Sequence, residues 1–415
     1  MRGVIWLVLL FAGAVVAALT LGDNSGLVSF YYGSSRLDVS LNLFLIGAVV
    51  LAFAMVLLIQ TLDSLITLPT RAKAWRTLKR ERAMHAALRE SMIEHFAGRF
   101  NRAHKAAQRA LAIQAGTDEL AGDRELRILA LLLAARSLHR VQDRTRRDQL
   151  LRQALKAERR TPPSRAVDEG TRLLGAEWAL DDGDAPRAAS LLAELAPGVA
   201  RRTQALRLKL RTALLSRHPA EALATARLLA KHQAFSPEAA QGLLRSLAIQ
   251  LIDEAHDVDQ LRRAYAALDD ADRQDAFVVA RAARRAVALD AADDARRWLR
   301  PLWDRLRELT AEQRVQVALA LTAAADGIGV DWIPSLEAAQ LTYPHEAAVQ
   351  VAVGATFAAR GLMGKARRPL ELAAADRVLD AGARRRAWRL LAAMAREAGD
   401  EPRAQQCEQA AAAVD

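Results

Sequence analysis

Two uninterrupted apolar runs open the chain, and behind them the apolar residues settle into a helical rhythm. Residues 3–22 read GVIWLVLLFAGAVVAALTLG, and residues 41–62 read LNLFLIGAVVLAFAMVLLIQTL. Each is about twenty residues long, or roughly 30 Å as a helix, one hydrocarbon thickness. Neither holds an ionisable side chain, and Asn42 and Gln60 sit near the ends. Spans without charge at depth predict an anchor rather than a transport path. Gly13 with Ala17, and Ala48 with Ala52, have the small-xxx-small spacing that lets two membrane helices touch. A cleaved leader is the alternative for the first run, but that run is long for one and a second full span follows closely. Between the runs, GLVSFYYGSSRLDVS (Gly26–Ser40) alternates apolar and polar residues on both sides of Gly33-Ser34-Ser35, which predicts a strand-turn-strand element.

Further on, four segments share one local pattern: GRFNRAHKAAQRAL from Gly98, GDAPRAASLLAEL from Gly183, GLMGKARRPLELAAA from Gly361 and GDEPRAQQCEQAA from Gly399. An alanine stands five residues after each glycine: Ala103, Ala188, Ala366 and Ala404. A glycine fits the left-handed end of one helix, and a small alanine fits a tight crossing with the next. This is the pattern of the second helix of a tetratricopeptide repeat. The expected first helix precedes it as Trp388, Leu391 and Ala392 before Gly399, and as Val353, Gly354 and Phe357 before Gly361. Further turns are predicted near Asp143, His218, Asp257, Ala291 and Gly327, at intervals of about 34 to 45 residues. The expected fold is all-α: two transmembrane helices over residues 1–69, then a tetratricopeptide-like α-solenoid of eight or nine helical hairpins over residues 70–415. Each hairpin buries its apolar face only against its neighbours.

Composition agrees with packed helices. Hydrophobic residues make up 52% of the 415, and aromatics only 5%. The single cysteine, Cys407, excludes an intramolecular disulfide and reads as a small packing residue of the last helix. Charge sets the orientation. RAKAWRTLKRER, Arg71 to Arg82, carries six cations and one anion directly after the second span, whereas the connector at residues 23–40 has Arg36 against Asp23 and Asp38. The positive-inside rule therefore places both termini in the cytoplasm and the connector outside. Trp6 and Trp75 are expected as interface anchors, with Arg71, Lys73, Arg76, Lys79, Arg80 and Arg82 facing anionic headgroups. That placement displaces the nucleic-acid reading of a basic stretch, and no nucleic acid is expected as a partner. Beyond residue 69 the balance is 57 basic to 45 acidic residues. Clusters such as Arg144, Arg146 and Arg147, or Arg384, Arg385 and Arg386, read as solvated helix faces, with an anionic lipid or acidic partner as the sharper alternative.

No motif of catalysis emerges. Gly327-Ile328-Gly329 lacks the third glycine and the strand context of a dinucleotide site. No GxxxxGK[ST], HExxH or GxSxG occurs. The eight histidines are scattered, with no pair at i, i+4. The chain is thus expected not to be an enzyme and to use no cofactor or metal.

The order of parts resembles the proteobacterial HemY family. The resemblance rests on the first span, the Gly26–Ser40 connector, the second span, Trp75 with Arg80–Arg82, and the first repeat helix at Gly98–Leu111. Asp38 departs from the glutamate expected before Val-Ser-Leu, and GRFNRAHK is more basic than the family's turn. The resemblance implies a two-pass inner-membrane protein linked to late protohaem synthesis, with late haem-pathway enzymes as expected protein partners and a non-catalytic scaffold as the role. A general inner-membrane assembly factor, and a porphyrin or haem carrier or enzyme with an unrecognised site, are the alternatives. A flavin-dependent oxidase of the same name has a dinucleotide fingerprint that this sequence lacks.

Overall fold

The structure, a computed structural model, describes residues 25–160 and 165–414 together with Gly13. Apart from Gly13, the first apolar run and Trp6 within it lie outside the described residues. Among those described, all regular structure is helical apart from one two-stranded sheet. The chain forms two compact units, Met1–Pro163 and Ser164–Asp415.

The first unit opens with the hairpin of β1 (Leu27–Tyr32) and β2 (Ser35–Ser40), antiparallel with Phe30 opposite Leu37 and Ser29 opposite Asp38. Its two-residue turn places Gly33 at φ 60°, the left-handed region such hairpins require. The strict alternation puts Val28, Phe30, Leu37 and Val39 on one face and Ser29, Arg36 and Asp38 on the other. On the polar face Arg36 Nε donates to Asp38 at 2.8 Å, and the Ser29 hydroxyl donates to the same carboxylate. Phe30 meets Phe44 at 5.7 Å between ring centroids, which folds the apolar face against the helix that follows.

That helix, α1 (Leu41–Phe96), starts without a linker. Ser40 caps it by accepting from Leu43 N–H, and Leu41 N–H donates to the Gly26 carbonyl at 2.9 Å. It runs for 56 residues, about 84 Å. Within it Leu41–Leu62, with mean hydropathy 2.8, is long and apolar enough to cross a membrane. The helix shows no boundary at residues 69 and 70: the apolar segment and the first packed repeat helix are one element. Its far end buries Met84, Ala87 and Ser91 against the bundle of α2 (Phe100–Ala115), α3 (Arg124–Arg140) and α4 (Arg144–Arg160), in which successive helices pack on one another.

The second unit continues the scheme with α5 (Arg165–Asp181), α6 (Ala185–Ala193), the short α7 (Pro197–Ala200), α8 (Thr203–Leu215), α9 (Pro219–Lys231), α10 (Pro237–Asp253), α11 (Val258–Ala266) and the short α12 (Asp270–Gln274). Then come α13 (Ala276–Ala288), α14 (Ala292–Trp303), α15 (Ala311–Ala323), α16 (Ile333–Thr342), α17 (Ala347–Ala359), α18 (Met363–Ala375), α19 (Ala381–Glu397) and α20 (Glu401–Ala412). Most helices pack on the next long helix in sequence. In addition α10, α13, α15, α17 and α19 touch one another in succession as an inner row. Local sequence fixes the starts: Asp184, Asp257, Asp380 and Asp400 cap their helices, and Thr310 with Gln313 forms a capping box. The inner row explains the alanine content. Val349, Val353 and Phe357 of α17 are fully buried, and alanines such as Ala282, Ala283, Ala318 and Ala320 allow neighbouring backbones to approach.

Candidate functional site

The turns between paired helices repeat one backbone device. Gly98, Gly183, Gly361 and Gly399 have φ of 75°, 81°, 72° and 76°. The next residue's N–H reaches back to the preceding helix, as in Asp184 to the Ala179 carbonyl at 2.8 Å and Leu362 to the Phe357 carbonyl at 2.9 Å. Five residues after each glycine, Ala103, Ala188, Ala366 and Ala404 are buried where two helices cross. Between the first two helices the Ser91 hydroxyl adds a bond to the Ala103 carbonyl at 2.7 Å. Trp388 is partly buried ahead of Leu391 and Ala392 in the core.

Besides Gln233 at φ 53°, three more turns have the same geometry without glycine, at Gln142, Arg217 and Asp290, with φ of 63°, 55° and 61°. In two of them the fifth residue is again a buried alanine, Ala222 or Ala295. In the third it is Arg147, only 1% exposed. The solvated-face reading of the Arg144–Arg147 cluster fails at this residue, because the helix crossing takes it inside. Arg147 Nη1 lies 3.0 Å from His139 Nδ1, and the guanidinium pairs with Asp148 at 2.8 Å. A buried cation is sustained only by such partners.

The basic stretch on α1 is divided in its contacts. Lys73 pairs with Glu119 at 2.9 Å, and Arg80 Nη1 donates to the Gly116 carbonyl at 3.0 Å. Both side chains thus reach the turn after α2. Trp75 is 63% exposed with Lys79 Nζ 5.2 Å from its ring centre, and Arg71, Arg76 and Arg82 are exposed. Along a helix rising 1.5 Å per residue, Arg71 stands about 14 Å beyond Leu62, and Arg82 about 30 Å.

In the second unit, cations reach across about one repeat to carboxylates. Arg245 pairs with Asp275 at 2.8 Å, Arg262 with Asp294 at 2.7 Å, Arg300 with Asp331 at 2.7 Å and Arg403 with Glu371 at 2.5 Å. Arg314 engages both oxygens of Glu346 and lies 4.8 Å from the Tyr343 ring centre. The Glu346 hydrogen bond raises the Arg314 guanidinium above its ordinary value. Arg284 on α13 also reaches the next helix of the row but ends on the neutral Gln316 within α15, whereas Asp275 and Glu346 stand at helix starts. Arg284 and Gln316 line an open groove of about 740 Å³, together with Val315, Leu319, Leu379 and Ala383. Sequence reading passed over Arg284. Its signal is a step of 32 residues ending on an amide where neighbouring steps end on an acid.

Burial shifts two histidines and the cysteine. His104 is buried with Nδ1 lacking a hydrogen-bond partner, and desolvation pushes it down. His95 is pushed down by burial and by Arg136 and Arg140. Cys407 is buried in α20, and burial pushes its thiol up. Among the described residues no three His, Cys, Asp or Glu side chains are grouped to hold a metal ion.

The described chain is thus an all-helical protein with one exposed apolar helix near its N-terminus, carried on into repeated helical hairpins. Residues 26–142 match the family model described as HemY protein N-terminus. The match takes in the strand hairpin and α1 to α3, and it ends at the left-handed turn of Gln142. No curated protein matches the chain. Among solved structures it pairs with one described as "Structure of Naa15/Naa10 bound to HypK-THB", at 14% identity and a TM-score of 0.26. That pairing covers 79% of this chain and 58% of the other, so the chain spans less than two thirds of its counterpart.

Proposed function

We propose that this protein is a non-catalytic scaffold, anchored in the bacterial inner membrane, that holds enzymes of late protohaem synthesis near the bilayer. The observation that carries the reading is the continuity of α1. One helix includes both the apolar segment Leu41–Leu62 and the residues Met84, Ala87 and Ser91 that bury against α2. A membrane-crossing segment fused in this way to a packed helical array tethers that array. Tethering raises the effective concentration of bound partners where hydrophobic porphyrins partition. The HemY N-terminal match supports the link to haem synthesis.

In this reading the first apolar run supplies a second span, both termini are cytoplasmic, and the hairpin at Leu27–Ser40 lies outside. The left-handed turn followed by a buried small residue supports a tetratricopeptide-like solenoid, whose surfaces serve protein contacts. Anionic lipid near Arg71 and Arg76 completes the anchorage.

Cross-linking in intact cells tests the proposal, with the tagged full chain compared against one lacking residues 1–69. Late haem-pathway enzymes captured by the full chain alone are the expected result. Capture of unrelated membrane proteins in their place overturns the haem role and favours a general assembly factor.

A further inference from the structure

Inner-row arginines of the second unit reach from one helix to the next. Arg245 ends on Asp275 and Arg314 on Glu346, both carboxylates. Arg284 ends on the Gln316 amide, and among the described residues it has no ion pair. Its Nε is buried without a hydrogen-bond partner. A guanidinium has five N–H donors in a fork that matches a carboxylate. Here the fork is partly filled by a neutral group, at the side of an open groove of about 740 Å³.

The acids around the groove are already engaged. Glu346 is held by Arg314. Asp380 accepts from Ala383 N–H at 3.1 Å and caps α19, while Asp376 accepts from Val378 N–H at 2.8 Å. Burial and the neighbouring Arg281 push the Arg284 guanidinium down, and attraction to Asp380 offsets this only in part. Arg386 adds a second cation to the groove, and its nearest acid, the exposed Asp326, is 3.9 Å away. Beside these cations the lining includes the apolar Val315, Leu319, Leu379 and Val378, the last 95% exposed.

We propose that this groove docks a segment of a protein partner that places a carboxylate on Arg284 and aliphatic side chains against Val315, Leu319 and Val378. The ligand's carboxylate completes the step that Gln316 leaves neutral, so the argument is one of charge complementarity. The proposal deepens the scaffold reading by locating a contact and the chemistry it takes.

The test uses the full chain in lipid nanodiscs and fluorescence anisotropy with two labelled peptides. One is Ala-Leu-Glu-Ala-Leu-Glu-Ala-Leu, and the other has glutamine at both glutamate positions. The glutamate peptide is expected to bind, and the glutamine peptide to bind ten- to a hundredfold more weakly, the range for a lost charge-assisted hydrogen bond. Arg284→Gln should cause a similar loss. Gln316→Glu provides a control against misfolding: it supplies the absent carboxylate from within, so it should keep or raise the melting temperature while losing the peptide. No binding at millimolar glutamate peptide overturns the proposal. So does equal binding of the two peptides, or unchanged binding by both variants. No haem-pathway enzyme is present in this assay, so its outcome is independent of the cross-linking result.

Discussion

Gly354 on α17 stands so close to α18 that a methyl group added to it would lie 2.6 Å from Leu370 Cγ. Leu370 is fully buried, so it has little room to yield. Gly354→Ala sets two effects against each other. Alanine gains about 1 kcal/mol of helix propensity, while overpacking costs about 1–3 kcal/mol and the contact is at the severe end. A net loss of about 1–2 kcal/mol is expected in thermal unfolding. Adding Leu370→Ala should make the two changes strongly non-additive, because the second removes the clash created by the first. Simple additivity would show that the helices move apart instead.

The turn glycines depend on backbone conformation alone. A side chain at Gly361 or Gly399 would meet open space, but φ is 72° or 76°. Gly361→Ala should cost about 1 kcal/mol and Gly361→Asn distinctly less, since asparagine tolerates the left-handed region. Gln142, already strained at φ 63°, should respond in the opposite direction, with Gln142→Gly neutral or stabilising by about 0.5 kcal/mol. Denaturant melts of the three variants check the order.

These turns also show how far the sequence could be read. Gly98, Gly183, Gly361 and Gly399 announce themselves because a left-handed residue favours glycine. Gln142, Arg217 and Asp290 do the same work by backbone hydrogen bonds that any residue can make, so only their spacing and a following polar cap such as Asp143 gave them away. The strand hairpin was legible from strict alternation around Gly33. The Arg147 position was not, since three nearby arginines look alike until a helix crossing buries one of them. Arg284 was hidden for the same reason. The absence of a carboxylate at Gln316 has meaning only beside the steps at Asp275 and Glu346.

Among the ion pairs, burial should decide which ones matter. Arg314 and Glu346 have side chains only 16% and 30% exposed and join at two points. Glu346→Gln should therefore cost about 1–3 kcal/mol. Arg305 and Glu308, 3.9 Å apart and more exposed, should give less than about 0.5 kcal/mol when Glu308→Gln breaks them. Equal effects in urea unfolding would refute burial as the controlling variable.

Acid should loosen the first unit. Burial holds His95 and His104 below the ordinary imidazole value of 6.5, with Arg136 and Arg140 adding to the effect at His95 and Arg146 at His104. Asp143 and a hydrogen bond to the Ala134 backbone oppose it at His104 only in part. The unfolded chain thus takes up protons first as pH falls. Stability is full above about pH 6.5 and is lost as pH drops below it toward the folded values. The melting temperature should fall between pH 7.5 and 5.5, and His95→Asn combined with His104→Gln should flatten that slope. A slope unchanged in the double variant would assign it to other groups.

The helix α1 has a folded body at each end. Leu41 N–H is bonded to the hairpin through Gly26, and Met84 is locked into the helical bundle. With the proposed lipid layer between them, the helix would behave as a rivet with two heads. Neither head can be drawn through hydrocarbon without stripping its polar groups of partners. A load placed on the helical array therefore cannot slide the shaft along its axis. It can only tilt or turn it, and the hairpin on the other side must move with it.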